Sequence, residues 1–286
     1  MLWFRRISRS RWLGWGCVGL LSVILMATGV KLHPAVATGN RAINIQQVRG
    51  TVTYRGSQTR PAQVGDRLQA VGQGISTAAR SRAILTLDEA IGSIQVAENT
   101  DLRVTQLQTG ADGSRVTLLN VQRGQVRLQV RSFTNPNSRL EIQTPSGVAS
   151  VRGTEFGVNT TAAGVTAIAT ESGAVAAIAA GQTVDIPADF ASRIQPGEAP
   201  IPPVRIDREL KFDVRRISRS GNRLEVLGRV NPTNSVYFRG LEVPVNVDGS
   251  VTLDVRLPMS QPRVTLVVQN PLGERQSQRI RMRSID

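Results

Sequence analysis

"TPSGVASVRGTEFGV", residues 144–158, puts a turn signal, Pro145-Ser146-Gly147, ahead of an apolar run interrupted by Arg152-Gly153-Thr154-Glu155. Before the interruption the apolar positions, Ala149 and Val151, are odd-numbered. After it, Phe156 and Val158 are even-numbered. Side chains of a strand alternate between faces with a period of two, so one continuous strand cannot bury both sets. An extra residue at Gly153 repairs the register, which is what a β-bulge does. On this reading Pro145, Gly147 and Gly153 are turn or bulge residues, and Arg152 and Glu155 pair locally or face solvent. A second reading takes Arg152, Thr154 and Glu155 as a partner-binding set.

Around this stretch, residues 43–186 alternate in short runs. Ala83, Leu85 and Leu87 do so, as do Val126, Leu128 and Val130, then Leu140 and Ile142. Runs of this length with period two are half-buried strands. Turn chemistry separates them, as at Ala111-Asp112-Gly113-Ser114 and Asn135-Pro136-Asn137. Arg-Gly or Ser-Gly before an apolar position recurs in "VRGTVTY", "VQRGQVRL", "SVRGTEFGV" and "ESGAVAAI". The irregular spacing excludes a solenoid repeat, and a glycine leading into a strand accounts for the recurrence.

Residues 187–204, "PADFASRIQPGEAPIPPV", hold five prolines and read as a stiff linker. Residues 205–286 return to strand punctuation. Val243, Val245 and Val247 lead into Asp248-Gly249, a hairpin signal. About seven short strands fit here, the number in an immunoglobulin-like sandwich.

The N-terminus carries Arg5, Arg6, Arg9 and Arg11, then an uncharged stretch at residues 12–30, then Ala35-Val36-Ala37. Positive segment, apolar segment and small-residue cleavage site describe a signal peptide, residues 1–37, removed after Ala37. The alternative is an uncleaved anchor in the cytoplasmic membrane. Removal would eliminate the chain's single His, its single Cys and all three Trp. No thiol, disulfide, imidazole base or His or Cys metal ligand would remain, so no cofactor and no metal are expected. The formal charge of +14 would fall by the five cations of that segment to +9. Outside the cytoplasm such a charge suits an acidic partner, an acidic glycan or anionic lipid rather than nucleic acid.

The central motif resembles the hallmark of the FecR-like domain, a periplasmic β domain named for a regulator of ferric citrate transport. "VRGTVTYRG", "VGDRLQAVGQGISTAARSRAILTL" and "VQRGQVRLQV" follow that family's order upstream, and "TESGAVAAIAAGQTV" resembles its closing strands. "LDEAIGS" departs from it where the family has an Asp-Gly turn, which puts the local hairpin in doubt. The resemblance implies a sensory or scaffolding domain outside the cytoplasmic membrane. About eleven residues precede the apolar stretch, too few for the regulatory segment of the family's founding members, so iron signalling through a sigma factor does not follow from the resemblance alone.

The expected architecture is therefore all-β: a FecR-like domain at 43–186, a linker at 187–204 and an Ig-like β-sandwich at 205–286. The expected function is that of a non-enzymatic exported protein in the periplasm or envelope, acting through its FecR-like domain on an envelope protein. The alternative is a protein binding cell wall or acidic polysaccharide. Membrane contact is expected only through the leader, if retained. Acids such as Asp66, Asp88, Glu98 and Asp112 are scattered and several sit beside turns. No opposed pair, phosphate loop or serine elbow is present, so catalysis is not expected.

Overall fold

The computed structural model describes residues 41–88, 91–258 and 263–281. The expected signal peptide, with Ala35 and Ala37, lies outside them. All described elements are strands, and the described residues belong to one compact unit.

Seventeen strands form two facing sheets that share one long strand, β9 (Arg115–Val130). The first sheet runs β4 (Arg67–Leu68), β1 (Ile43–Arg49), β6 (Arg82–Leu87), β7 (Gly92–Val96), then residues 124–130 of β9. It continues through β12 (Glu155–Thr160), β13 (Thr166–Ser172), β16 (Phe190–Ile194) and β17 (Val204–Arg205). The second sheet runs β3 (Thr59–Pro61), β2 (Val52–Arg55), β5 (Gly74–Thr77), β8 (Asp101–Thr109), then residues 115–123 of β9. It ends with β10 (Arg139–Gln143), β11 (Val148–Val151), β14 (Ala174–Ala179) and β15 (Gln182–Pro187). Strands β6 and β7 pair in register up to Leu87 and Gly92, so the hairpin forms despite the "LDEAIGS" departure.

The alternating residues build one core between these sheets. Leu85, Ile94, Leu128, Phe156 and Val158 come from the first sheet. Ile75, Leu102, Leu119, Leu140 and Ile142 come from the second, and none of the ten is exposed. Burying a side chain of this size stabilises by about 1.5–3 kcal/mol, so the inward rows hold the sandwich together.

The parity break at Gly153 has a different cause from the expected bulge. Residues 148–151 pair with β10 and β14 in the second sheet, whereas residues 155–160 pair with β9 and β13 in the first. The chain turns a corner from one sheet to the other at residues 152–154, and alternation does not carry across a corner. A bulge does occur nearby, but on β13. Glu155 and Phe156 face Ser172 and Thr170, leaving Glu171 as the extra residue.

The segment read as a linker is partly strand. Residues 190–194 pair along β13, and Ala191 and Ile194 are fully buried. The following proline-rich loop folds back, with Ile201 N–H donating to Arg193 O (2.9 Å) and Ser192 Oγ to Ile201 O (2.6 Å).

Beyond it a second sandwich forms around its own core of Leu224, Val226, Val236, Val264, Leu266 and Val268. One sheet orders β18 (Asp213–Ser220), β19 (Arg223–Arg229) and β22 (Ser250–Arg256). The other orders β21 (Leu241–Val243), β20 (Ser235–Phe238), β23 (Arg263–Gln269) and β24 (Arg275–Arg281). The second strand lies between the first and fifth, and the sixth between the third and seventh, as in immunoglobulin-like sandwiches. Asp248-Gly249 does turn the chain, but between sheets. Strand β21 pairs with β20, and only Val245 bridges to Val251 across that turn.

Candidate functional site

Three more Gly-containing motifs behave like Gly153. Gly50 lies between β1 and β2, Gly124 lies within β9 where that strand changes sheets, and Gly173 lies between β13 and β14. Each is a point where the chain leaves one sheet for the other. All four have positive φ, from 73° at Gly50 to 143° at Gly153. At Gly153 an added Cβ would also come within 2.2 Å of Ser132 Cα, and at Gly124 within 2.4 Å of Thr100 Cα. Only glycine meets both the backbone angle and the close approach.

The corners at Gly153 and Gly173 touch. A Cβ on Gly173 would lie 2.9 Å from Gly153 O, and Thr154 Oγ1 donates to Ala174 O at 3.0 Å. Thr154 also exchanges two backbone hydrogen bonds with Val130, both 3.0 Å. Its polar groups are thus satisfied inside the fold, where it is buried. Glu155 accepts from Arg127 at 2.8 and 3.1 Å, so its ion-pair partner is Arg127 and not Arg152. Arg152 is exposed beside Asp112, Asn137 and Arg139, while its carbonyl accepts from Phe133 N–H at 2.9 Å. Of the three candidate binding residues, the fold occupies Thr154 and Glu155 and leaves Arg152 outward.

Comparison with known families finds the model described as "FecR protein" matching residues 73–176, which span β5 to β14 and include the corners at Gly124, Gly153 and Gly173. The chain carries a FecR domain. Two crystal structures of a candidate anti-sigma factor from Parabacteroides distasonis resemble it at 13% identity. They cover 46% of this chain and 59% of that one, with TM-scores of 0.40 and 0.39. A polysaccharide lyase aligns at 11% identity over 87% of this chain and 40% of its own, with a TM-score of 0.20. No curated protein matches the chain.

Within the FecR domain, Pro145 and Gly147 occupy the four-residue loop joining β10 to β11, closed by Thr144 N–H donating to Gly147 O (2.9 Å). Gly147 is required by proximity rather than by angle, since a Cβ there would lie 2.6 Å from Ile178 O. The scattered acids are bound into the scaffold. Asp66 pairs with Arg60 (2.7 Å), Asp88 with Arg41 (2.5 Å) and Glu98 with Arg275 (2.5 Å). Asp112 accepts from Asn137 Nδ2 and Ser114 N–H, which hold its carboxyl at about 2. Among the described residues no group of three or more His, Cys, Asp or Glu is placed to hold a metal. No described helix is long and apolar enough to cross a membrane.

Sequence reasoning missed a seam between the two sandwiches. The outer face of the first sheet carries Gly157, Ala167, Ala169 and Ala191 in place of larger polar residues. The turn at Asn270–Gly273 presses on it so closely that a Cβ on Gly157 would lie 2.1 Å from Pro271 O. Leu272 packs with Ala169, Ala191 and Ile206. Gln125 Nε2 donates to Pro271 O (2.9 Å), Asn159 Nδ2 to Ser235 Oγ (2.7 Å), and Arg193 to Pro232 O (2.9 Å) and Val245 O (2.6 Å). At the rim Arg208 bridges Glu171 (3.0 Å) and Glu274 (3.1 Å). The signal that could have found this face is the run of small residues at outward positions of "TAIATES" and "FASRI".

Proposed function

We propose that this chain is a non-enzymatic sensory or signalling module of the cell envelope, exported by its N-terminal segment, that contacts an envelope protein through its FecR domain around Arg152. The observation that carries this reading is the FecR match at residues 73–176, which falls on the central two-sheet sandwich. The geometry supports binding over catalysis. The acids singled out in the sequence are held in scaffold ion pairs or turn hydrogen bonds, and the outward groups of the hallmark motif reduce to one guanidinium with nothing to activate it as a catalyst.

The reading as a binder of acidic polysaccharide finds support in β18, an edge strand with Arg215 and Arg216 exposed. Crosslinking of the tagged protein in intact envelopes, followed by identification of the adducts, separates the two. A discrete protein adduct lost in Arg152→Ala supports the protein partner. Sedimentation with purified acidic polysaccharide, lost when Arg215 and Arg216 are replaced, supports the glycan.

A further inference from the structure

The seam holds a cavity of about 400 Å³, open to solvent on one side, between the β12–β13 turn and the Pro232–Ser235 and Pro244–Asn246 segments of the second sandwich. Sites of this size at the junction of two modules are common small-molecule sites. Two opposite charges line it. Arg193 is 6% exposed and has no carboxylate within ion-pair distance among the described residues. Two of its five N–H donors reach the carbonyls of Pro232 and Val245, and Nε is buried without a partner. Across the seam Glu242 accepts one long hydrogen bond, from Ala162 N–H at 3.3 Å. Burial raises its carboxyl pKa, only partly offset by Ala162 N–H and Arg193.

A second buried group is also unmatched. Asn234 is 2% exposed and its Nδ2 donates to Asp207 Oδ2 (2.8 Å), which fixes the amide so that Oδ1 faces away, with no partner. Buried polar groups are almost always paired, so two orphans on residues lining one cavity mark a place where something else completes the bonding. A buried charge such as that of Arg193 is costly unless it is bridged to an opposite one.

We infer that this cavity is a binding site for a small zwitterion of amino-acid to dipeptide size, its ammonium facing Glu242 and Asn234 Oδ1 and its carboxylate facing Arg193. The acceptors present suit an ammonium and the donor present suits a carboxylate. A simple anion would leave Glu242 opposing it, and a simple cation would leave Arg193 opposing it. The assignment stands on the seam and does not depend on which macromolecule binds near Arg152.

The test is calorimetric titration of the full chain with L-alanyl-L-alanine, its N-acetyl form and its C-terminal amide. The dipeptide should bind saturably, and each blocked form should bind at least about tenfold more weakly. Glu242→Gln should weaken the dipeptide by a similar factor without loss of folding. Ala163→Trp, which fills the cavity from an exposed lining position, should abolish binding and keeps the test decisive if the first variant folds poorly. Absence of dipeptide binding to the unaltered chain, equal binding of the blocked forms, or undiminished binding in Ala163→Trp would overturn the assignment.

Discussion

The carbonyl of Gly153 and the α-carbon of Gly173 meet so closely that a Cβ on the second would sit 2.9 Å from the oxygen of the first. Twenty residues apart in number, these glycines are adjacent corners through which the chain changes sheets in opposite directions. Gly153→Val should therefore destabilise the FecR domain. Strain from the backbone angle alone costs about 1–3 kcal/mol, and displacement of Ser132 adds to it. Chemical denaturation checks this, and unchanged stability would contradict the corner.

The polar members of the motif should separate by role. Thr154→Val removes the part-buried hydrogen bond from Thr154 Oγ1 to the carbonyl of exposed Ala174, a loss of about 0.5–1.5 kcal/mol. Glu155→Gln breaks a half-exposed pair with Arg127 and should cost less than about 1 kcal/mol. Arg152→Ala should leave the melting temperature unmoved while reducing partner crosslinking. Melting curves and crosslinking on the same three variants give the comparison.

Much of the FecR sandwich was legible because alternation reports the inward face directly. Ala83, Leu85 and Leu87 are buried as their spacing requires. The corner at Gly153 was legible as a break in parity but not in kind, since a bulge and a sheet change disturb the count alike. Strand β16 was hidden by prolines on either side of its five residues. The seam was hidden for another reason. Alternation distinguishes core from the opposite face, but small residues such as Ala167 and Ala169 do not announce that the opposite face is covered too.

Glu242 gives a pH signature. Its folded pKa is raised above the ordinary glutamate value, so its contribution to stability is full below that ordinary value and is lost as pH rises through the raised one. Glu242→Gln should accordingly raise the melting temperature at pH 7 and give no gain at acid pH. Melting both proteins across that range checks the sign, and a lowered melting temperature at pH 7 would contradict it. Greater stability together with weaker dipeptide binding is the pattern of a site held at some cost to the fold.

Export has its own readout. Every Trp precedes Val36, so the protein released after Ala37 should show tyrosine emission without tryptophan emission. Intact mass spectrometry of the envelope-derived protein showing residues 1–37 retained would favour the membrane anchor.

The seam seats the second sandwich on the outer face of the first in place of a free linker. Spin labels at Thr183→Cys in β15 and Arg279→Cys in β24, both exposed, allow a direct distance measurement in a chain carrying Cys17→Ser. Double electron–electron resonance should give one narrow distance, broadened by Gly157→Val, which drives a side chain into Pro271. A broad distribution in the chain with native Gly157, unchanged by Gly157→Val, would contradict the seated arrangement.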